Sequence, residues 1–95
     1  MEELKCVHIF VEGRVQGVGF RYFVKKAAEE NNLTGWVRNL YDDRVEILAQ
    51  GEDSQLNKFI AIVRIGPGSA LVSKLETNWL KPDNRINRFS IAVSQ

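Results

Sequence analysis

One cysteine, one histidine, two prolines and no long apolar run mark what this sequence has least of. The lone Cys6 cannot close a disulfide within the chain, so a reducing compartment suits it and the cytoplasm is the expected location. No stretch approaches the ~20 apolar residues of a membrane span. The start, Met1-Glu2-Glu3-Leu4-Lys5, is too acidic and polar for a signal peptide, and no membrane partner is expected. Charge of one sign is missing too: 13 Lys and Arg against 12 Asp and Glu leave a formal net charge of +1. That balance argues against a nucleic-acid binder relying on bulk positive charge, but leaves room for a local basic pocket that takes a small anion. What remains is ordinary for a globular protein, 44% hydrophobic and 26% charged. The length supports a single domain over residues 1–95, expected as a monomer, with no repeat, low-complexity tract or long linker.

Periodicity supplies the elements. Cys6 to Glu12 is rich in β-branched and aromatic residues, with Val7, Ile9 and Val11 on one face, and predicts a strand. Phe20, Phe23, Val24, Ala27 and Ala28 recur at helical spacing, and Asn31-Asn32 end that helix. Leu33 to Leu40 and Arg44 to Gln50 form a hairpin around Asp42-Asp43, with Val45, Ile47 and Ala49 facing inward. Gly51-Glu52-Asp53-Ser54 opens a second helix, with Asp53 or Ser54 as its cap; Leu56, Phe59, Ile60 and Val63 form its stripe, and Gly66-Pro67-Gly68 stops it. A strand from about Ala70 to Trp79 and a short one from Asn87 to Val93 complete the chain. The order predicts an α+β fold: a ferredoxin-like split βαββαβ sandwich, its antiparallel sheet covered on one face by two helices, with a short extra C-terminal strand.

Between the first strand and first helix lies Gly13-Arg14-Val15-Gln16-Gly17-Val18-Gly19-Phe20-Arg21. Three glycines let the backbone turn tightly and aim successive N–H groups into one concavity, an anion nest at a helix N-terminus. Arg21 sits in the first helical turn, where a cation opposes the helix dipole unless an anion lies between them. Its planar fork suits phosphate oxygens. The loop ends in no Gly-Lys-Ser/Thr and lacks Gly-x-Gly-x-x-Gly spacing, so it is neither a Walker loop nor a dinucleotide fingerprint. The competing reading of these residue types is a glycine-rich turn with a solvated arginine. Topology supplies the partner: strands one and two run the same way with strand three between them. Asn39, ending strand two, then faces the loop across two strand spacings, about 9–10 Å.

These motifs, with Gly35-Trp36-Val37-Arg38-Asn39, Gly51 before the second helix and Gly66-Pro67-Gly68 after it, resemble the acylphosphatase family over nearly the whole chain. The resemblance implies hydrolysis of the carboxyl–phosphate bond of an acyl phosphate to a carboxylate and inorganic phosphate, without metal or cofactor. It implies that Arg21 binds the phosphate as the catalytic arginine and that Asn39 orients the attacking water. The backbone N–H groups of Val15, Gln16, Gly17, Val18 and Gly19 would cradle the phosphoryl oxygens. The chemistry suits that set, because phosphoryl transfer is mostly positioning and charge stabilisation, and a carboxylate leaves without a general acid.

His8, mid-strand on the face opposite Val7 and Ile9, is expected outside the chemistry, and Arg38, alternating with Asn39, on the opposite sheet face. Arg14 and Arg44 are candidates to add positive field, and Phe20 and Trp36 to pack and fix the site. The turn Tyr41-Asp42-Asp43-Arg44 departs from a Pro-Asp-Gly-Arg pattern found in many family members, and the tail Phe89 to Gln95 lacks their basic-aromatic ending. Two other readings compete. One is a non-catalytic acyl- or carbamoyl-phosphate-binding module of the kind found in larger carbamoyl-transferring proteins, against which stands the lack of zinc-type cysteines. The other is a ferredoxin-like RNA-binding module, for which Phe10, Trp36 and a net charge of +1 are thin support.

Overall fold

Alternation decides the first strand. Cys6, Val7, Ile9 and Val11 are buried while His8 and Phe10 are half-buried, along β1 (Leu4–Arg14). In the computed structural model, which describes residues 3–95, the chain continues through α1 (Phe20–Glu30), β2 (Thr34–Asn39), β3 (Val45–Glu52), α2 (Asp53–Ile65), β4 (Leu71–Leu80) and β5 (Phe89–Ile91). The acidic start falls partly on Met1 and Glu2, which lie outside the described residues. The sheet order is β4-β1-β3-β2-β5. β1 and β2 each pair antiparallel with β3, so they run the same way with β3 between them, as the split βαβ pattern predicts.

The fold is the expected ferredoxin-like α+β sandwich with one correction: the sheet is mixed, because β5 lies parallel to β2. After β4 the chain must cross to the far edge before pairing, and Gln50 holds that crossing. Its Nε2 donates to the Asp83 carbonyl at 2.8 Å, and the Asp83 N–H donates back to its Oε1 at 2.9 Å. β4 ends beside the start of β1, the sheet end at which β2 also begins, so a chain that crosses there enters β5 in the direction of β2.

The apolar stripes of both helices meet one sheet face. Phe20, Val24 and Ala28 of α1 and Leu56, Phe59 and Val63 of α2 form one cluster with Val7, Ile9, Val11, Val37, Val45 and Ile47. Asn31 ends α1 by donating its side-chain amide to the Ala27 carbonyl at 2.8 Å, and Gly66 ends α2 at φ 72°. A second correction concerns the start of α2. Glu52, in extended conformation, is the N-cap, without a side-chain cap bond. Asp53 instead stands in the first turn, where its charge suits the helix dipole, and pairs with Lys5 at 3.2 Å.

The β2–β3 turn closes without glycine. Asp43 takes φ 75°, its N–H bonds the Leu40 carbonyl at 3.2 Å, and the Leu40 N–H bonds the Arg44 carbonyl at 2.8 Å. A left-handed aspartate costs about 1–2 kcal/mol relative to the right-handed form.

Candidate active site

The site begins where β1 runs out. Gly17 and Gly19 take φ 73° and 76°, and a Cβ at either would meet nothing within 4 Å. Their requirement is therefore conformational: the loop needs left-handed backbone at two places, and only glycine supplies it without strain. Gly19 is the N-cap of α1 and has no side-chain cap bond, nor does an acidic residue occupy the first turn. The first helical bond runs from the Phe23 N–H to the Gly19 carbonyl at 3.1 Å, so the N–H groups before it have no helical partner. Together with the dipole they make a region that favours an anion.

Arg21 projects from the second position of that helix and is half-buried. Among the described residues no carboxylate comes within ion-pair distance of it. A guanidinium held beside the positive end of a helix without a counter-ion is an arrangement that a bound anion relieves.

Asn39 reaches the same place from the other side of β3. The register sets Val11, Val45 and Asn39 in one row across β1, β3 and β2, on the face that carries the helices. Its backbone is fixed from the outer edge: the Gln95 N–H donates to the Asn39 carbonyl at 3.0 Å, and the Tyr41 N–H donates to the Gln95 carbonyl at 2.6 Å. Its side-chain Oδ1 is buried and has no hydrogen-bond partner among the described residues. A buried acceptor left unpaired costs on the order of 1–3 kcal/mol, so an acceptor in that state calls for a donor.

That donor has somewhere to sit. Val15, Gly17, Gly19, Phe20, Arg21, Tyr22 and Asn39 line a pocket of about 70 Å³. One water needs on the order of 10–15 Å³ of such space, so the pocket takes several water-sized atoms. The oxygens of a phosphoryl group and one further water are of that size.

The structure brings Arg21, Asn39, Val15, Gly17 and Gly19 to one pocket and leaves Gln16 and Val18 off its lining. Val18 packs against the core, while the Gln16 side-chain amide turns to the β2–β3 turn. Arg44 does not extend the positive field at the pocket: its guanidinium pairs with Asp42 at 2.8 Å and lies over the Phe10 ring at 4.5 Å. That hydrogen bond from Arg44 holds the Asp42 carboxyl below its ordinary pKa. Trp36 is likewise on the open face of the sheet, under Arg38 at 4.6 Å, and does not shape the pocket as expected of it. Phe20 does line it, packed beside Phe23. His8 and Arg38 both bond Glu46, on the face opposite the pocket. Two participants escaped sequence reasoning. Tyr22 lines the pocket while remaining 76% exposed, and its only signal was its place beside Arg21. Gln95 bonds Asn39 although the tail that carries it lacks the basic-aromatic ending of the family.

Known proteins share this fold. The family model for acylphosphatase matches residues 7–91. An acylphosphatase of Chlorobaculum tepidum is 42% identical over 87 residues, covering 92% of this chain and 95% of that protein. The crystal structure of the Bacillus subtilis acylphosphatase superposes with a TM-score of 0.90 at 42% identity, covering 95% of this chain and 99% of that one. Full-length HypF, solved in a phosphate- and nucleotide-bound form, contains a similar fold at TM-score 0.90 and 27% identity, but the match is 12% of that chain. On the matched family model and on relatives covered nearly end to end, this chain belongs to the acylphosphatase family.

Proposed function

We propose that the acylphosphatase activity of this chain runs on three parts: the loop N–H groups from Val15 to Gly19, the Arg21 guanidinium, and the Asn39 side-chain amide. The loop and Arg21 hold the phosphoryl group of a small acyl phosphate and neutralise its charge. A water donates one hydrogen bond to Asn39 Oδ1, which turns its lone pair toward phosphorus. The water oxygen then bonds to phosphorus as the bond to the acyl oxygen breaks. The leaving group departs as a carboxylate and needs no proton, and the water's proton passes to a phosphoryl oxygen, giving inorganic phosphate. An amide is too weak a base to take that proton, so Asn39 contributes orientation alone.

The observation that carries this reading is the pocket shared by Arg21 and Asn39, with an unpartnered Asn39 Oδ1 at its side. Every group invoked comes from one chain, so a monomer suffices. The single cysteine, buried and raised in pKa by that burial, suits the cytoplasm. A module that only binds acyl or carbamoyl phosphate is not favoured, since the relatives matched almost end to end are acylphosphatases. Release of phosphate from benzoyl phosphate without added metal tests the proposal. Turnover well above the uncatalysed rate is expected, and folded protein without turnover overturns it.

A further inference from the structure

A glutamine in an open glycine loop can leave its amide to water. Gln16 does not. Its Nε2 donates to the carbonyl of Leu40 and to the carbonyl of Arg44, each at 2.8 Å. Those residues are the two ends of the β2–β3 turn, bonded to each other through the Leu40 N–H and the Arg44 carbonyl at 2.8 Å. Leu40 directly follows Asn39. An amide has two N–H groups, and this one gives both to a single turn in a partly buried position. Loop and turn are far apart in sequence, and the turn is otherwise anchored to the strand edge rather than to the loop.

We propose that Gln16 is a positioning residue for the hydrolysis: it locks the phosphate loop to the turn that carries Asn39, and so fixes the distance between the held phosphoryl group and the water on Asn39. The proposal rests on the roles assigned above to Arg21, Asn39 and the loop. Gln16 is off the pocket lining and the loop grips phosphate through its backbone, so the side chain acts on the attack and leaves phosphate binding alone. Errors of about 1 Å in reacting geometry cost up to ~10²-fold in rate.

The test is a double-mutant cycle in kcat with benzoyl phosphate, together with inhibition by inorganic phosphate and a urea midpoint for each protein. Gln16→Met keeps the length and removes both donors. It is expected to lower kcat about 10- to 100-fold while the phosphate inhibition constant moves less than about 3-fold. In an Asn39→Ala background the same substitution is expected to change kcat by less than about 2-fold, because the group it positions is gone. A full-sized loss of kcat in that background overturns the proposal, as does unchanged kcat in the single variant. A raised inhibition constant in step with the rate loss also overturns it, since that assigns the side chain to phosphate binding. If Gln16→Met does not fold, Gln16→Asn, one methylene too short to span both carbonyls, is read by the same criteria. Failure of the underlying mechanism is distinguishable: Asn39→Ala alone would then retain its rate.

Discussion

Arg38 and Asn39 are neighbours on β2 and live in opposite circumstances. Arg38 points to the open face of the sheet, where its Nε donates to Glu46 at 2.6 Å and its guanidinium lies over Trp36 at 4.6 Å. Glu46 also accepts from His8 at 2.7 Å, so the carboxylate is shared and its partners are fixed. One residue on, Asn39 faces the helices and ends in a buried oxygen with no partner among the described residues. On one face polar groups are spent on each other and hold the sheet; on the other they are held in place and left unspent. Unpaired capacity in a buried place is costly, and a fold keeps it where a ligand completes it.

Substitutions on the two faces should therefore separate activity from stability. The largest effect is expected for Arg21→Gln, with kcat/KM down by about 10³-fold or more and phosphate inhibition lost. Retained phosphate inhibition in that protein removes Arg21 from the anion site. Asn39→Ala should lower kcat by about 10²–10³-fold and leave phosphate inhibition within a few-fold, because orientation is lost and charge is not. Its urea midpoint should not fall, since no internal hydrogen bond of Oδ1 is broken.

On the open face the pattern should invert. Glu46→Gln strands Arg38 and His8 and should cost about 2 kcal/mol in urea unfolding, between the worth of an exposed pair and that of a buried one, with kcat within about 2-fold. Burial alone would raise the Glu46 carboxyl, but the hydrogen bonds from Arg38 and His8 outweigh it and hold the pKa below its ordinary value of 4.5. A carboxylate depressed in the folded state adds stability above its unfolded pKa. The advantage over Glu46→Gln should thus be complete above about pH 5 and fade as pH falls through the lowered folded value. A difference that persists unchanged to acid pH would assign it to packing. The smallest effect belongs to the turn between the faces. Asp43→Gly should raise stability by about 1 kcal/mol, because glycine holds φ 75° without the side-chain penalty.

The parts legible in the sequence were those whose cause is local. Val7, Ile9 and Val11 announce β1 by alternation, Phe20, Val24, Ala27 and Ala28 announce α1 by helical spacing, and the glycines mark the loop. The order of elements was enough to bring Asn39 to the loop side, because a strand paired between two others decides which ends are adjacent. What stayed hidden depends on partners distant in the chain. The parallel place of β5 rests on three residues with a weak pattern, and its pairing to β2 is set by the crossing over Gln50. Gln16 reads as a phosphate-loop residue through its backbone N–H, and the partner of its side chain is hidden until the turn it bonds is seen beside it; Trp36 reads as site packing until the sheet face it occupies is known.

The central position of β3 also governs how the protein comes to life kinetically. Arg21 and Asn39 are brought together only when β3 is paired to both β1 and β2. The β2–β3 hairpin is local, whereas β1 joins β3 across some forty residues and β4 across roughly sixty to seventy. Pairings of that span carry a loop-closure cost before they are rewarded, so refolding is expected to be slow for a chain of this size. In a refolding experiment the helical signal should therefore return ahead of acylphosphatase activity, which has to wait for the strand between the two halves of its pocket.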